Sequence, residues 1–129
     1  MQKDNRLYQL AENVLKNSVK LKKGEKIYIE AFGPAVLDLM EIFIRKATEL
    51  GGVPFYFYND EHLLKAVIDN ASEEQMKAFG ETYRQQMASS DVYVALRGYD
   101  DIFALSDVNE RQMALYMQHY YNPVHRSTR

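Results

Sequence analysis

The chain contains no cysteine. Disulfides, thiolate metal sites and a cysteine nucleophile are therefore excluded, and the absence fits a reducing cytoplasm, where we expect the protein to reside. Charge of one sign is scarce as well: 16 basic residues against 18 acidic ones leave a formal net charge of −2. Without a broad positive field there is no general attraction to phosphate backbones, so no nucleic-acid partner is expected. Long apolar runs are missing too. No stretch approaches the roughly 20 apolar residues of a membrane span. The polar start, Met1 to Arg6, lacks the apolar core of a signal peptide. A soluble, unexported chain with no membrane partner is expected.

The usual cofactor and metal signatures are also lacking. Dinucleotide binding calls for G-x-G-x-x-G between a strand and its helix, where backbone must approach a pyrophosphate. The corresponding turn here is Ala31-Phe32-Gly33-Pro34-Ala35, with one glycine and a proline that removes a donor. No G-x-x-x-x-G-K-[ST] phosphate loop occurs. His62, His119 and His125 are scattered, with none of the helical spacing that a zinc site on one helix requires. They are expected to be surface or partner-contact residues. No catalytic, cofactor-binding or metal-ligating residue is assigned in this segment.

What the chain does have is the balance of a globular domain, with 47% apolar and 26% charged residues over 129 positions. Apolar residues from Leu7 to Ser18 recur at helical spacing, predicting a first helix from about Asp4 to Val19. Lys26–Ala31, Val53–Tyr58 and Asp91–Arg97 are short, rich in β-branched and aromatic residues and bounded by glycine, which predicts three strands. Between the first two, residues 35–50 are apolar almost all round and predict a heavily buried helix, closed by Gly51-Gly52. Asn59 or Asp60 can cap a helix over 61–70. Ser72 with Gln75 forms a capping-box pattern opening another to about Ala88. Pro54 leans the second strand toward an edge.

Strands alternating with helices of about 15 residues suit parallel neighbours, which need long crossovers. The expected fold is α/β, a Rossmann-like three-layer sandwich with a mainly parallel sheet over residues 1–105. Residues 106–129 form a carboxyl-terminal helix and tail. Tyr28, Tyr56, Tyr58 and Tyr93 are expected to line one sheet face in stacked rows. Open parallel sheets hold ligands beyond their strand ends. Gly33, Arg97 and Asp101 are therefore the candidate cleft or interface residues. Glu73-Glu74 and Asp107 are read as solvated helix-start caps. A last helix places Met113, Tyr116, Met117 and Tyr120 on one face, which suggests a contact with further chain or another subunit.

Taken in order, five segments resemble the amino-terminal region of the aminopeptidase T and aminopeptidase S family of thermophilic-type metalloproteases. They are Lys22-Lys23-Gly24-Glu25-Lys26-Ile27-Tyr28-Ile29-Glu30-Ala31, Leu50-Gly51-Gly52-Val53-Pro54-Phe55, Arg97-Gly98, Leu105-Ser106-Asp107-Val108 and Tyr121-Asn122-Pro123-Val124-His125-Arg126. The resemblance implies a metallo-aminopeptidase acting on peptide amino termini. Its divalent ions (zinc, cobalt or manganese) would be bound in a separate carboxyl-terminal catalytic domain beyond residue 129. It further implies a homodimer, in which this segment shapes the active-site cavity and dimer contact without carrying metal ligands. The alternative is a free-standing small-ligand-binding or protein-interaction domain with no catalysis.

Overall fold

The computed structural model describes residues 5–98 and 108–121. They form two compact units. One runs to Asn59 and resumes at Ser90; the other combines Asp60–Ser89 with the last helical segment.

In the first unit α1 (Asn5–Asn13) continues into a π-helical turn over Val14–Ser18, so the predicted first helix is present with a widened end. β1 (Lys26–Phe32) follows, then a single 3₁₀ turn at Pro34–Val36 and α2 (Leu37–Glu49). β2 (Val53–Asn59) and β3 (Val92–Arg97) complete the unit. The sheet order is β2-β1-β3, and both pairings are parallel. This is the α/β class expected from the alternation of strands and helices, and among the described residues Pro54 does lie on an edge strand.

The central strand carries the core. Ile27, Ile29 and Ala31 are fully buried and cluster with Ala11, Leu15, Met40, Ile42, Phe43, Ala47, Val94 and Leu96. Full burial of a large aliphatic or aromatic side chain contributes about 1.5–3 kcal/mol, so these positions dominate the unit's stability. Two expectations need correction. α2 is one-sided: Met40, Ile42, Phe43 and Ala47 are buried, but Leu37 is 45% exposed and Glu41, Arg45 and Glu49 are exposed. Its sequence is apolar around much of the helix because Leu37, Leu39 and Ile44 sit at or near the margin. The tyrosines do not share a face either. Tyr28 is in register with Tyr93, and their rings stack at 6.1 Å. Tyr56 and Tyr58 are in register with Ile29 and Ala31, on the opposite face. In-register residues of a parallel pair point the same way, and 56 and 28 have opposite phases.

Backbone phase also distinguishes the two sheet edges. The Val53 N–H donates to the Glu25 carbonyl and the Asn59 carbonyl accepts from Gly33, so odd-numbered β2 residues face β1. Pro54, Tyr56 and Tyr58 therefore turn their backbone outward, and Pro54 lacks an N–H there. Just before β3 the Asp91 N–H donates to the Lys26 carbonyl. On β3 the register with β1 and the Gly98 N–H donated to the Phe32 carbonyl turn the backbone of Val92, Val94 and Leu96 toward β1, so that of Tyr93 and Ala95 turns outward.

The second unit is helical. Asp60 caps α3 (Glu61–Ile68) by accepting from the Leu63 N–H. The predicted capping box is present at the start of α4 (Glu73–Ala88): Gln75 N–H donates to Ser72 Oγ, and Ser72 N–H to Gln75 Oε1. α5 (Glu110–Tyr116) ends in a second π-helical turn, Met117–Tyr121. Its cap is Asn109, which accepts from the Arg111 and Gln112 N–H groups; Asp107 lies outside the described residues. Among the described residues no helix is long and apolar enough to cross a membrane.

Candidate functional site

Gly33 and Arg97 both stand at the carboxyl ends of strands. Arg97 is in register with Phe32, so the two candidates are adjacent at one end of the sheet. Asp101 lies outside the described residues. Gly33 leaves β1 with φ +102°, a conformation that glycine tolerates best. Its N–H donates to the Asn59 carbonyl at 2.9 Å, while the Gly98 N–H donates to the Phe32 carbonyl at 2.6 Å. The three strand ends are thus laced together by backbone. A Cβ at position 33 would lie 1.5 Å from the Gly98 carbonyl oxygen. The space against Gly33 is occupied by the protein's own backbone, which explains the glycine without any ligand. Gly98 is also confined, since a Cβ there would come within 3.1 Å of Val36 and 3.2 Å of Ala35. The side chain of Arg97 is exposed.

On the same face, deeper in the sheet, Tyr93 donates its hydroxyl hydrogen bond to Glu30, beside the Tyr28 ring. At the other end of the strands the Asp91 carboxylate accepts from the Lys26 N–H at 2.8 Å. That contact and the reciprocal backbone bond fix where β3 enters the sheet. On the unit's surface Lys46 reaches both Glu12 and Glu49, at 3.5 and 3.2 Å. Lys16 lies 2.8 Å from Glu12 and, with Lys46, holds its carboxyl below the usual carboxylate range.

The second unit contains a grouping that sequence spacing did not reveal. His119 Nε2 lies 2.8 Å from a Glu73 carboxylate oxygen, and Lys77 is 3.8 Å from the same oxygen. The His119 side chain is only 12% exposed, so it is more enclosed than the surface position expected for it. Lys77, Glu81, Arg84 and His119 line a hollow of about 210 Å³. Residues 73 and 119 are far apart in sequence, and no spacing rule links them. Nearby, the Gln112 amide donates to the Ile68 and Ala71 carbonyls at 2.6 and 2.9 Å. Tyr116 is buried, and α5 packs against α3 and α4. The last helix therefore has partners within its own unit. Met117 remains 38% exposed.

A metal-activated hydrolase needs several carboxylates and imidazoles converging on one point. Among the described residues no group of three or more His, Asp or Glu side chains is placed to hold an ion. His119 and Glu73 supply a pair, with a lysine ammonium against the carboxylate. These residues do not fit a catalytic divalent ion, and no chemical step is assigned through one here.

The described residues thus comprise a three-stranded parallel α/β sheet with glycine-tight strand ends and a separate helical unit. The sequence profile described as thermophilic metalloprotease (M29) matches residues 3–127. The chain belongs to that family. Comparison with curated proteins finds no match. Among solved structures the fold is similar to wild-type AmpT from Thermus thermophilus, with a TM-score of 0.70 and 19% identity. The alignment covers 93% of this chain and 31% of that one.

Proposed function

We propose that this chain is a non-catalytic scaffold segment of a metal-dependent aminopeptidase that removes amino-terminal residues from peptides in the cytoplasm. The observation that carries this reading is the family match over residues 3–127 in a chain that aligns with only 31% of AmpT. The ions, zinc, cobalt or manganese, and the groups that bind them would belong to a carboxyl-terminal catalytic domain of the longer polypeptide. There the metal would activate water and polarise the scissile carbonyl. Residues 5–98 and 108–121 would bound the peptide cavity and contribute to subunit contact.

The test is hydrolysis of aminoacyl p-nitroanilides and short peptides by the purified chain with cobalt, zinc or manganese added in turn. No release above the metal-only control is expected. Robust metal-dependent release that an inactive mock purification lacks would overturn the assignment of catalysis to another domain.

A further inference from the structure

The face of α4 that packs against the last π-helical turn carries charges that are not all matched within the unit. Glu73, Lys77, Glu81 and Arg84 follow one another at helical spacing and so line one side of the helix. The Glu73 carboxylate is engaged twice, by His119 at 2.8 Å and by Lys77 at 3.8 Å. Glu81 and Arg84 remain. They are one turn apart and both line the hollow walled by His119, yet among the described residues neither belongs to an ion pair. We propose that this hollow binds a free α-amino acid as its zwitterion, with Arg84 holding the carboxylate and Glu81 the ammonium.

The charge pattern selects that class of ligand. An inorganic anion is drawn to Arg84 but repelled by Glu81, and a simple amine meets the reverse. A zwitterion satisfies both. In a free amino acid the ammonium and the carboxylate are bonded to one carbon. Side chains one helical turn apart start about 5–6 Å from each other at Cβ and can close on such a pair from either side. A dipeptide sets its terminal charges further apart, because a peptide unit puts about 3.8 Å between its Cα atoms. The guanidinium fork matches a carboxylate with two parallel hydrogen bonds. Arg84 is half-buried, and Lys77 on the same wall adds positive charge toward the carboxylate. At about 210 Å³ the hollow is smaller than the roughly 300 Å³ from which sites for drug-sized ligands begin, which suits one residue rather than a chain. Among the described residues its lining is polar throughout, so it offers a ligand side chain no apolar pocket, and a small residue such as alanine fits best.

A free amino acid is what the proposed aminopeptidase reaction releases, and only that link, product held by its own scaffold segment, rests on the peptidase reading. Binding is measured on this chain without metal or turnover, so its failure leaves that reading standing. Alanine titrated into the isotope-labelled chain should shift the amide resonances of Lys77, Glu81, Arg84 and His119. It should also raise Tm, because a ligand of the folded state stabilises it. Alaninamide lacks the carboxylate and N-acetylalanine lacks the ammonium. Each should bind at least about tenfold more weakly than alanine, the loss expected when hydrogen bonds to a charged group are removed. Arg84→Gln should abolish the response to alanine; the analogue series on the unaltered chain decides the matter if that variant fails to fold. Glu81→Gln should weaken alanine yet strengthen N-acetylalanine, a reversal that a purely structural role for Glu81 would not produce. Three results would each overturn the proposal: no shift at these residues up to the solubility of alanine, inorganic phosphate or N-acetylalanine binding as tightly as alanine, or an affinity for alanine that Glu81→Gln leaves unchanged.

Discussion

The two units secure their structure by different means. In the first, a central strand buries Ile27, Ile29 and Ala31 completely, and backbone bonds at both strand ends set the sheet. In the second, capped helices are tied by a few long-range polar links, notably Gln112 to two carbonyls and His119 to Glu73. Apolar periodicity and glycine placement reveal the first kind of construction, whereas the second depends on which helix faces which and leaves little trace in spacing. The contrast suggests where substitutions will act strongly and where they will act weakly.

The largest effect is expected at Gly33. Gly33→Ala forces a Cβ into the Gly98 carbonyl and adds left-handed strain, so a loss of about 4 kcal/mol or more, or failure to fold, is expected in urea denaturation. Gly24→Ala is the matched control. Its φ is +85° with nothing within 4 Å of the added Cβ, so only the backbone term of about 1–2 kcal/mol remains. Equal losses at the two sites would break the argument that close approach, rather than φ, governs position 33.

A smaller effect is expected in the helical unit. Gln112→Ala removes the donor to the Ile68 and Ala71 carbonyls and should cost about 1–3 kcal/mol. Hydrogen exchange should show faster opening in α3 and α5 than in β1. Slowed or unchanged exchange throughout α5 would show that the glutamine is not what ties that helix down.

The smallest effect concerns acid. Lys16 and Lys46 hold the Glu12 carboxyl below its usual value. A carboxyl with a depressed folded pKa adds stability above its unfolded pKa, and that stability is lost as pH falls through the folded value. Glu12→Gln should therefore flatten the acid limb of the Tm-against-pH curve slightly, and salt should mask the difference because the pair is exposed. An acid limb unchanged at low ionic strength would remove Glu12 from the account.

Much of the fold was legible because it depends on local rules. The three strands, the capping box at Ser72 and Gln75, and the edge position of β2 follow from β-branched runs, an S-x-x-Q pattern and Pro54. The tyrosine faces are not legible from residue type, because the phase of one strand against the next comes only from register. The site was less legible. Gly33 and Gly98 each marked a boundary, but nothing in their spacing shows that their backbones touch. The His119–Glu73 pair joins residues brought together only by packing of α5 on α4, which no one-dimensional pattern encodes.

Asp91 has a consequence for how the chain can vary. By holding Lys26 through both its own N–H and its carboxylate, it fixes β3 locally, without help from the long excursion that separates β3 from β2. Closing a longer or shorter excursion changes the entropy only slowly, by about 0.6 kcal/mol per doubling. A change in the length of the α3–α4 segment should therefore cost the alignment of the three-strand frame little.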